Sequence, residues 1–243
     1  MAPALSLVIP TFNEAGNIGP LVERLAAALA GDTWEALFVD DDSPDGTAEV
    51  VARLAQERPN LRCLKRVGRR GLSSACLEGF AATSAPFIVV MDADLQHDEA
   101  LLPRMLDLLR RGEAELVSGS RYLPGGGIAG LSPWRGFVSR SGNRVARALL
   151  GLGLSDPMSG FFMFKREILA RCDLAGLSGA GFKLLLDLLA AARPPVAFRE
   201  LPYVFRPRHA GRSKFNPRIG LLFLRSLLQL RRRLNAQGKT GSA

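Results

Sequence analysis

Apolar and polar positions alternate through the first half of the chain with a regular rhythm. Short apolar runs occur at Leu5 to Pro10, Ala36 to Val39, Leu61 to Leu64, Phe87 to Met91 and Glu115 to Gly119. Between them lie stretches with apolar residues at helical spacing: Ala15 to Ala30, Thr47 to Arg58, Leu72 to Thr83 and Leu101 to Arg111. Strands of this length alternating with helices predict right-handed βαβ units and a largely parallel central sheet flanked by helices, an α/β fold. A short strand near Phe161 to Phe164, a helix near Phe182 to Ala192 and a strand at Val196 to Leu201 complete the expected domain.

Two segments break the rhythm. After Arg121 comes a Gly-rich loop, Pro124-Gly125-Gly126-Gly127, then Trp134 and the basic residues Arg135, Arg140, Arg144 and Arg147. It reads as a mobile segment leading into a basic helix. Near the end, residues 216–234 form a helix candidate. At about 100° per residue, Arg218, Arg225, Gln229 and Arg232 share a stripe, and leucines and Phe223 fill most of the remainder. Such a helix either packs on its own domain or lies in a membrane interface with arginines on phosphates. Residues 235–243 read as a disordered tail.

A chain of 243 residues with 47% hydrophobic composition can bury one large core. The expectation is a catalytic domain over residues 1–215 with a short appendage. The separated Cys63, Cys76 and Cys172 form no CxxC pair and read as ordinary reduced residues of a cytosolic protein. Pro10 ends the first apolar run too early for a signal peptide. No run reaches the roughly 18 apolar residues of a membrane span. The net charge of +9 is uneven: from Arg193 onward, 12 Lys and Arg face one acid, Glu200, giving +11 there and −2 before it. An anionic partner therefore meets the C-terminal part. Few aromatics interleave these basic residues, which argues against nucleic acid.

In parallel sheets ligands sit at the carboxyl ends of strands. The chemically distinctive residues fall there: Pro10-Thr11-Phe12-Asn13-Glu14 after the first strand, Asp40-Asp41-Asp42 after the second, and Asp92-Ala93-Asp94 after the fourth. Two carboxylates at i and i+2 on a strand end suit a hard cation such as Mg2+ or Mn2+ completed by substrate phosphates, with Gln96 as a further oxygen. The same pair also suits a solvated turn or a helix cap. His97 reads as a surface residue. Three successive acids repel one another unless a cation or a set of donors satisfies them. Placed after a strand, they can also accept hydrogen bonds from a nucleobase or ribose. Lys183 and the basic run Arg206 to Lys214 are candidates to offset a diphosphate.

Eight stretches appear together and in order: VIPTFNE (Val8 to Glu14), VDDDSPDGT (Val39 to Thr47), GLSSA (Gly71 to Ala75), MDADLQH (Met91 to His97), SGSRY (Ser118 to Tyr122), SDPMSGFF (Ser155 to Phe162), GFK (Gly181 to Lys183) and GRSKF (Gly211 to Phe215). Together they resemble family 2 glycosyltransferases of the GT-A fold, in the polyprenyl (dolichyl) phosphate mannose synthase branch. The resemblance implies a nucleoside pocket of Pro10, Phe12, Glu14, Val39 and Asp41. It places metal and diphosphate on Asp92, Ala93, Asp94 and Gln96, and Lys183, Arg208 and Lys214 on the donor. It also implies that Arg121, Arg135 and Ser139 receive the lipid phosphate, within an acceptor loop of about 121–140. Phe12 stands where the family often has Tyr, which keeps stacking and loses a hydroxyl.

The implied reaction is inverting transfer of mannose from GDP-mannose to a polyprenyl phosphate, assisted by Mg2+ or Mn2+. Asp156, grouped with Asp92 and Asp94 as a catalytic candidate, either orients the acceptor or hydrogen-bonds a sugar hydroxyl, or else caps the turn before Pro157. The implied location is peripheral, on the cytoplasmic face of a membrane, held by the tail helix or by a separate membrane protein. Transfer of glucose from a UDP donor to undecaprenyl phosphate is the alternative within enzymes. A noncatalytic basic module for membrane surfaces is the alternative outside them.

Overall fold

The computed structural model describes residues 2–129, 153–172 and 184–207, together with Ser141, Asn143, Arg144, Val145, Arg147 and Ala148. The expected elements are present at the expected places. Strands β1 (Leu5–Thr11), β2 (Trp34–Asp40), β3 (Leu61–Lys65), β4 (Phe87–Val90) and β5 (Leu116–Ser120) alternate with helices α1 (Ala15–Ala28), α2 (Thr47–Glu57), α3 (Leu72–Ala81) and α4 (Leu102–Arg110). Then follow β6 (Gly127–Ile128), β7 (Phe162–Lys165), α5 (Leu184–Ala191), β8 (Phe198–Pro202) and β9 (Val204–Phe205). The main sheet has the order β3-β2-β1-β4-β7-β5-β8.

Side chains alternate between two core layers, as a sheet covered on both faces requires. Leu7, Ile9, Val89, Met91 and Met163 enter one layer with α1 and α4. Val8, Ile88, Val90, Phe162 and Phe164 enter the other with α3 and α5. Helix α3 lies close to the sheet because Gly79 has no side chain; a Cβ there would come within 2.4 Å of Val8 Cγ1. Helix α5 is buried on nearly every side, which explains its run of five leucines.

Two features depart from the sequence expectation. Strand β7 runs antiparallel to both neighbours, β4 and β5, whereas all other pairs in the main sheet are parallel. Entering the sheet between β4 and β5 in the opposite direction, β7 starts from the carboxyl edge at which β5 ends. Further, the Gly-rich loop carries regular structure at its end. It forms the parallel pair β6·β9, Gly127 opposite Val204 and Ile128 opposite Phe205. Gly126 packs on the backbone of the preceding turn, where a Cβ would lie 2.7 Å from the Ser120 carbonyl oxygen. The expected basic helix is represented by helical backbone at Asn143, Arg144 and Arg147. The tail helix 216–234 and the tail 235–243 lie outside the described residues.

Candidate active site

The carboxyl ends of β1, β2 and β4 stand side by side, in register from Leu5 against Trp34 and Phe87. The loops that follow are held in unusual conformations. Among the described residues, the non-glycine residues with positive φ are Asn13 (59°), Asp42 (57°) and Leu95 (63°), one after each of these strands. For Leu95 in particular this backbone is strained, and such strain collects where a site over-determines the chain.

The three acids after β2 divide into separate tasks. Asp40 is fully buried and accepts hydrogen bonds from Thr11 Oγ1 (3.0 Å), Ser43 Oγ (2.6 Å) and the Ser43 N–H (2.9 Å), tying the β1 and β2 ends together. Asp41 accepts from the Gly71 N–H at 2.7 Å and from the Arg66 guanidinium. Arg66 also donates to Ser74 Oγ (2.7 Å) and Glu78 Oε1 (3.1 Å). Asp42 faces Lys65 at 3.5 Å. The cation and donors that these acids require are thus Arg66, Lys65 and neighbouring hydroxyls.

Asp45 joins two helix starts. Its Oδ2 accepts from the Ala15 N–H at the head of α1, and its Oδ1 from the N–H and hydroxyl of Thr47 at the head of α2. Burial alone would raise its pKa, but these hydrogen bonds outweigh it and hold the carboxyl below its usual value. A depressed folded pKa means stability that is present above the unfolded value and lost as pH falls through the folded one. Asp45→Ala should therefore cost about 1 kcal/mol near neutral pH. In urea titrations that gap to the parent should close as the pH falls below about 4.

Of the expected nucleoside residues, Phe12 lies under the Arg70 guanidinium, 4.3 Å from the ring centroid. Pro10 pairs with Val39 across β1 and β2. Glu14 is buried and accepts from Asn17 Nδ2 at 2.6 Å. Val39 and Ala93 are buried, so only their backbone is available to a ligand.

At the end of β4, the Asp92 side chain is 37% exposed and Asp94 is buried, accepting the Gln96 N–H at 3.2 Å. Gly160 leaves room beside Asp92; a Cβ there would already lie 3.5 Å from Oδ2. Among the described residues no three His, Cys, Asp or Glu side chains converge as a ready metal cage. Two carboxylates with an open flank suit Mg2+ or Mn2+ whose remaining positions are filled by diphosphate and water. The Gln96 side-chain N–H donates to the Arg206 carbonyl at 2.8 Å, which orients the amide.

His97 is not a surface residue. It is 2% exposed, stacks on Phe161 with centroids 5.1 Å apart, and meets Phe205 edge-on. Its Nδ1 is 3.1 Å from the Tyr203 hydroxyl, and its Nε2 is 3.4 Å from Asp92 Oδ2. Burial pushes the Tyr203 pKa up, so the phenol beside Nδ1 stays protonated.

The pairing of Asp156 also differs from expectation. Asp156 is fully buried, and its carboxylate takes Arg121 in a bidentate grip, Nε at 2.6 Å and Nη2 at 2.8 Å. Its main partner is thus an arginine 35 residues away rather than a local turn. Burial would lower the Arg121 pKa, but this pairing raises it further, so the guanidinium stays charged. Arg206, expected near the diphosphate, is instead engaged by Asp98 (2.6 Å) and Glu99 (2.7 Å). Arg135, Ser139, Lys183, Arg208 and Lys214 lie outside the described residues.

A family model described as Glycosyl transferase family 2 matches residues 6–172, which include every one of these strand-end loops. The chain belongs to glycosyl transferase family 2. Its glycosyltransferase sheet is similar to a solved structure of glucosyl-3-phosphoglycerate synthase from Mycobacterium tuberculosis in complex with Mn2+, UDP-glucose and phosphoglyceric acid, with a TM-score of 0.69 at 21% identity, covering 96% of this chain and 80% of that one. That likeness bears out the GT-A fold. In sequence the chain is 37% identical over 238 residues to dolichol-phosphate mannosyltransferase of Saccharomyces cerevisiae, covering 95% of this chain and 88% of the relative. It is 36% identical over 216 residues to polyprenol monophosphomannose synthase of Mycolicibacterium smegmatis, covering 86% and 80% respectively.

Three site residues of this glycosyltransferase were not foreseen: Arg66, Tyr203 and Phe161. Arg66 carried a usable signal, because it follows β3 beside the acids of β2 in a parallel sheet. The others flank strands whose positions depend on the antiparallel course of β7.

Proposed function

We propose that this glycosyltransferase moves mannose from GDP-mannose to a polyprenyl phosphate, with inversion, using Mg2+ or Mn2+ at Asp92 and Asp94. The observation that carries the reading is the open Asp92 carboxylate next to buried Asp94 at the end of β4, in a chain with 37% identity to a dolichol-phosphate mannosyltransferase.

An acceptor phosphate oxygen attacks the anomeric carbon as the bond from that carbon to the GDP oxygen breaks. The phosphate is already anionic near neutral pH, so no strong base is needed. Asp156, gripped by Arg121, suits positioning rather than proton removal. The cation, when bound, offsets the charge developing on the leaving diphosphate. Phe12 stacks on the base, and Glu14 and Asp41 border the nucleoside. Arg121, with Arg135 and Ser139, takes the lipid phosphate; Lys183, Arg208 and Lys214 take the donor.

In this reading the protein sits peripherally on the cytoplasmic face of the membrane that holds its lipid acceptor, and the +11 segment from Arg193 onward supplies the attraction. Shortening the chain after Lys214 should weaken pelleting with anionic liposomes more than it weakens GDP binding. Equal pelleting would refute the role of the tail.

A panel of nucleotide sugars with radiolabelled polyprenyl phosphate tests the reaction. Label should pass into polyprenyl phosphate mannose from GDP-mannose alone, with chelator stopping it and Mg2+ or Mn2+ restoring it. Preference for UDP-glucose would overturn the donor assignment, and inactivity toward every polyprenyl phosphate would overturn the acceptor.

A further inference from the structure

Arg121 stands just beyond β5, and the loop at residues 155–156 that grips it is itself held by one side chain of the next strand. Glu200, in β8, accepts the Ser155 N–H at 2.6 Å on Oε2, and the Asp156 N–H and Ser155 hydroxyl, both at 3.0 Å, on Oε1. Ser155 Oγ is also 2.6 Å from Ser120 Oγ, the last residue of β5, and Ser120 Oγ accepts the Tyr122 N–H. Asp156 then holds Arg121 three times, by Nε, Nη2 and the backbone N–H. The pairing of β5 with β8, Ser118 opposite Glu200 and Ser120 opposite Pro202, fixes the distance between the ends of this chain of bonds.

We propose that Glu200 is a positioning residue: through Ser155 and Asp156 it sets the orientation of the Arg121 guanidinium toward the acceptor phosphate. The last link rests on the acceptor assignment made above. A guanidinium has five N–H donors in a rigid plane, and Asp156 uses the Nε edge. That grip fixes the angle of the remaining Nη1–Nη2 edge, whose two parallel N–H donors suit a phosphate bidentately. Charge alone does not require this arrangement, because Asp156 already offsets Arg121. A second carboxylate on the loop is explicable as control of angle. Two consecutive backbone N–H groups donated to one carboxylate leave the loop little freedom, so Glu200 sets where the loop holds Arg121.

Glu200→Gln keeps the volume and removes the charge-assisted acceptor. It should raise the KM for polyprenyl phosphate about tenfold, with kcat and the KM for GDP-mannose within about twofold of the parent. In an Arg121→Ala background the same change should add nothing, since residues acting through one another are not additive. Multiplying effects in the double variant, or equal losses on both substrates, would overturn the proposal. Ser155→Ala, a milder change, should move acceptor KM in the same direction by a few fold, and it keeps the test decisive if Glu200→Gln folds poorly.

A second measurement does not depend on turnover. The Arg121 Nε–H resonance, identified by its loss in Arg121→Lys, should exchange slowly with solvent in the parent and quickly in Glu200→Gln. Unchanged protection would refute the chain of contacts. Failure of the parent to use any polyprenyl phosphate would instead remove the acceptor reading, while the exchange result would still decide whether Glu200 governs Arg121.

Discussion

Replacing Asp94 by asparagine is expected to lower transfer by about a thousandfold while leaving the fold intact. A cation at a leaving diphosphate is worth several kcal/mol of transition-state charge stabilisation, and about 4 kcal/mol corresponds to that factor. Asparagine has the same shape and still accepts the Gln96 N–H, so the loop after β4 should survive. What disappears is one formal negative charge at a buried position where water cannot replace it. Calorimetric titration with Mn2+ in the presence of GDP should show weakened metal binding in step with the kinetic loss. Asp98→Asn is the control. That residue is four positions away and also acidic, but it is partly exposed and paired with Arg206, so its loss should have little effect on either measurement. Undiminished Mn2+ binding by Asp94→Asn would remove the metal assignment.

The contrast between Asp94 and Asp98 also shows what the sequence makes legible. The alternation of strand and helix is local information, carried by periodicity within 10 to 15 residues or so, and the predicted elements accordingly match. The placement of Asp92 and Asp94 follows almost as directly, because an apolar strand that ends in two acids must deliver them to the ligand edge of a parallel sheet. Long-range partners are a different matter. His97 looks like a surface residue from its acidic neighbours, yet Phe161, Tyr203 and Phe205 enclose it from positions 64 to 108 residues away. For Asp156, which sits before a proline, a turn cap is one of the readings its sequence allows, whereas the side-chain partner arrives just beyond β5. Arg206 belongs by sequence to a basic run, but its strand neighbours bring it to Asp98 and Glu99. In each case the deciding contact depends on strand order, and strand order turns on the reversal at β7.

Arg66→Met is expected to destabilise the protein by about 3 to 5 kcal/mol, the usual cost of removing one member of a buried ion pair. The Arg66 side chain is 2% exposed, and it serves Asp41, Glu78, Ser74 and the Gly71 carbonyl at once. Methionine fills similar space but offers none of those donors, so Asp41 is left with the Gly71 N–H and an uncompensated charge. Glu78, 31% exposed, can turn to solvent or to Arg69, so the loss falls mainly on Asp41. Adding Asp41→Asn to Arg66→Met should therefore recover a substantial part of the stability, because the buried charge is gone. Urea unfolding of the two single variants and the double variant measures this directly. High salt should change the cost little, since screening acts on exposed charges. The same pair links the loop after β2 to the start of α3, so GDP affinity should fall in Arg66→Met under conditions where the variant is still folded. A cost below about 1 kcal/mol would mean that the pair behaves as an exposed bridge, and the three acids after β2 would then need another explanation for their stability.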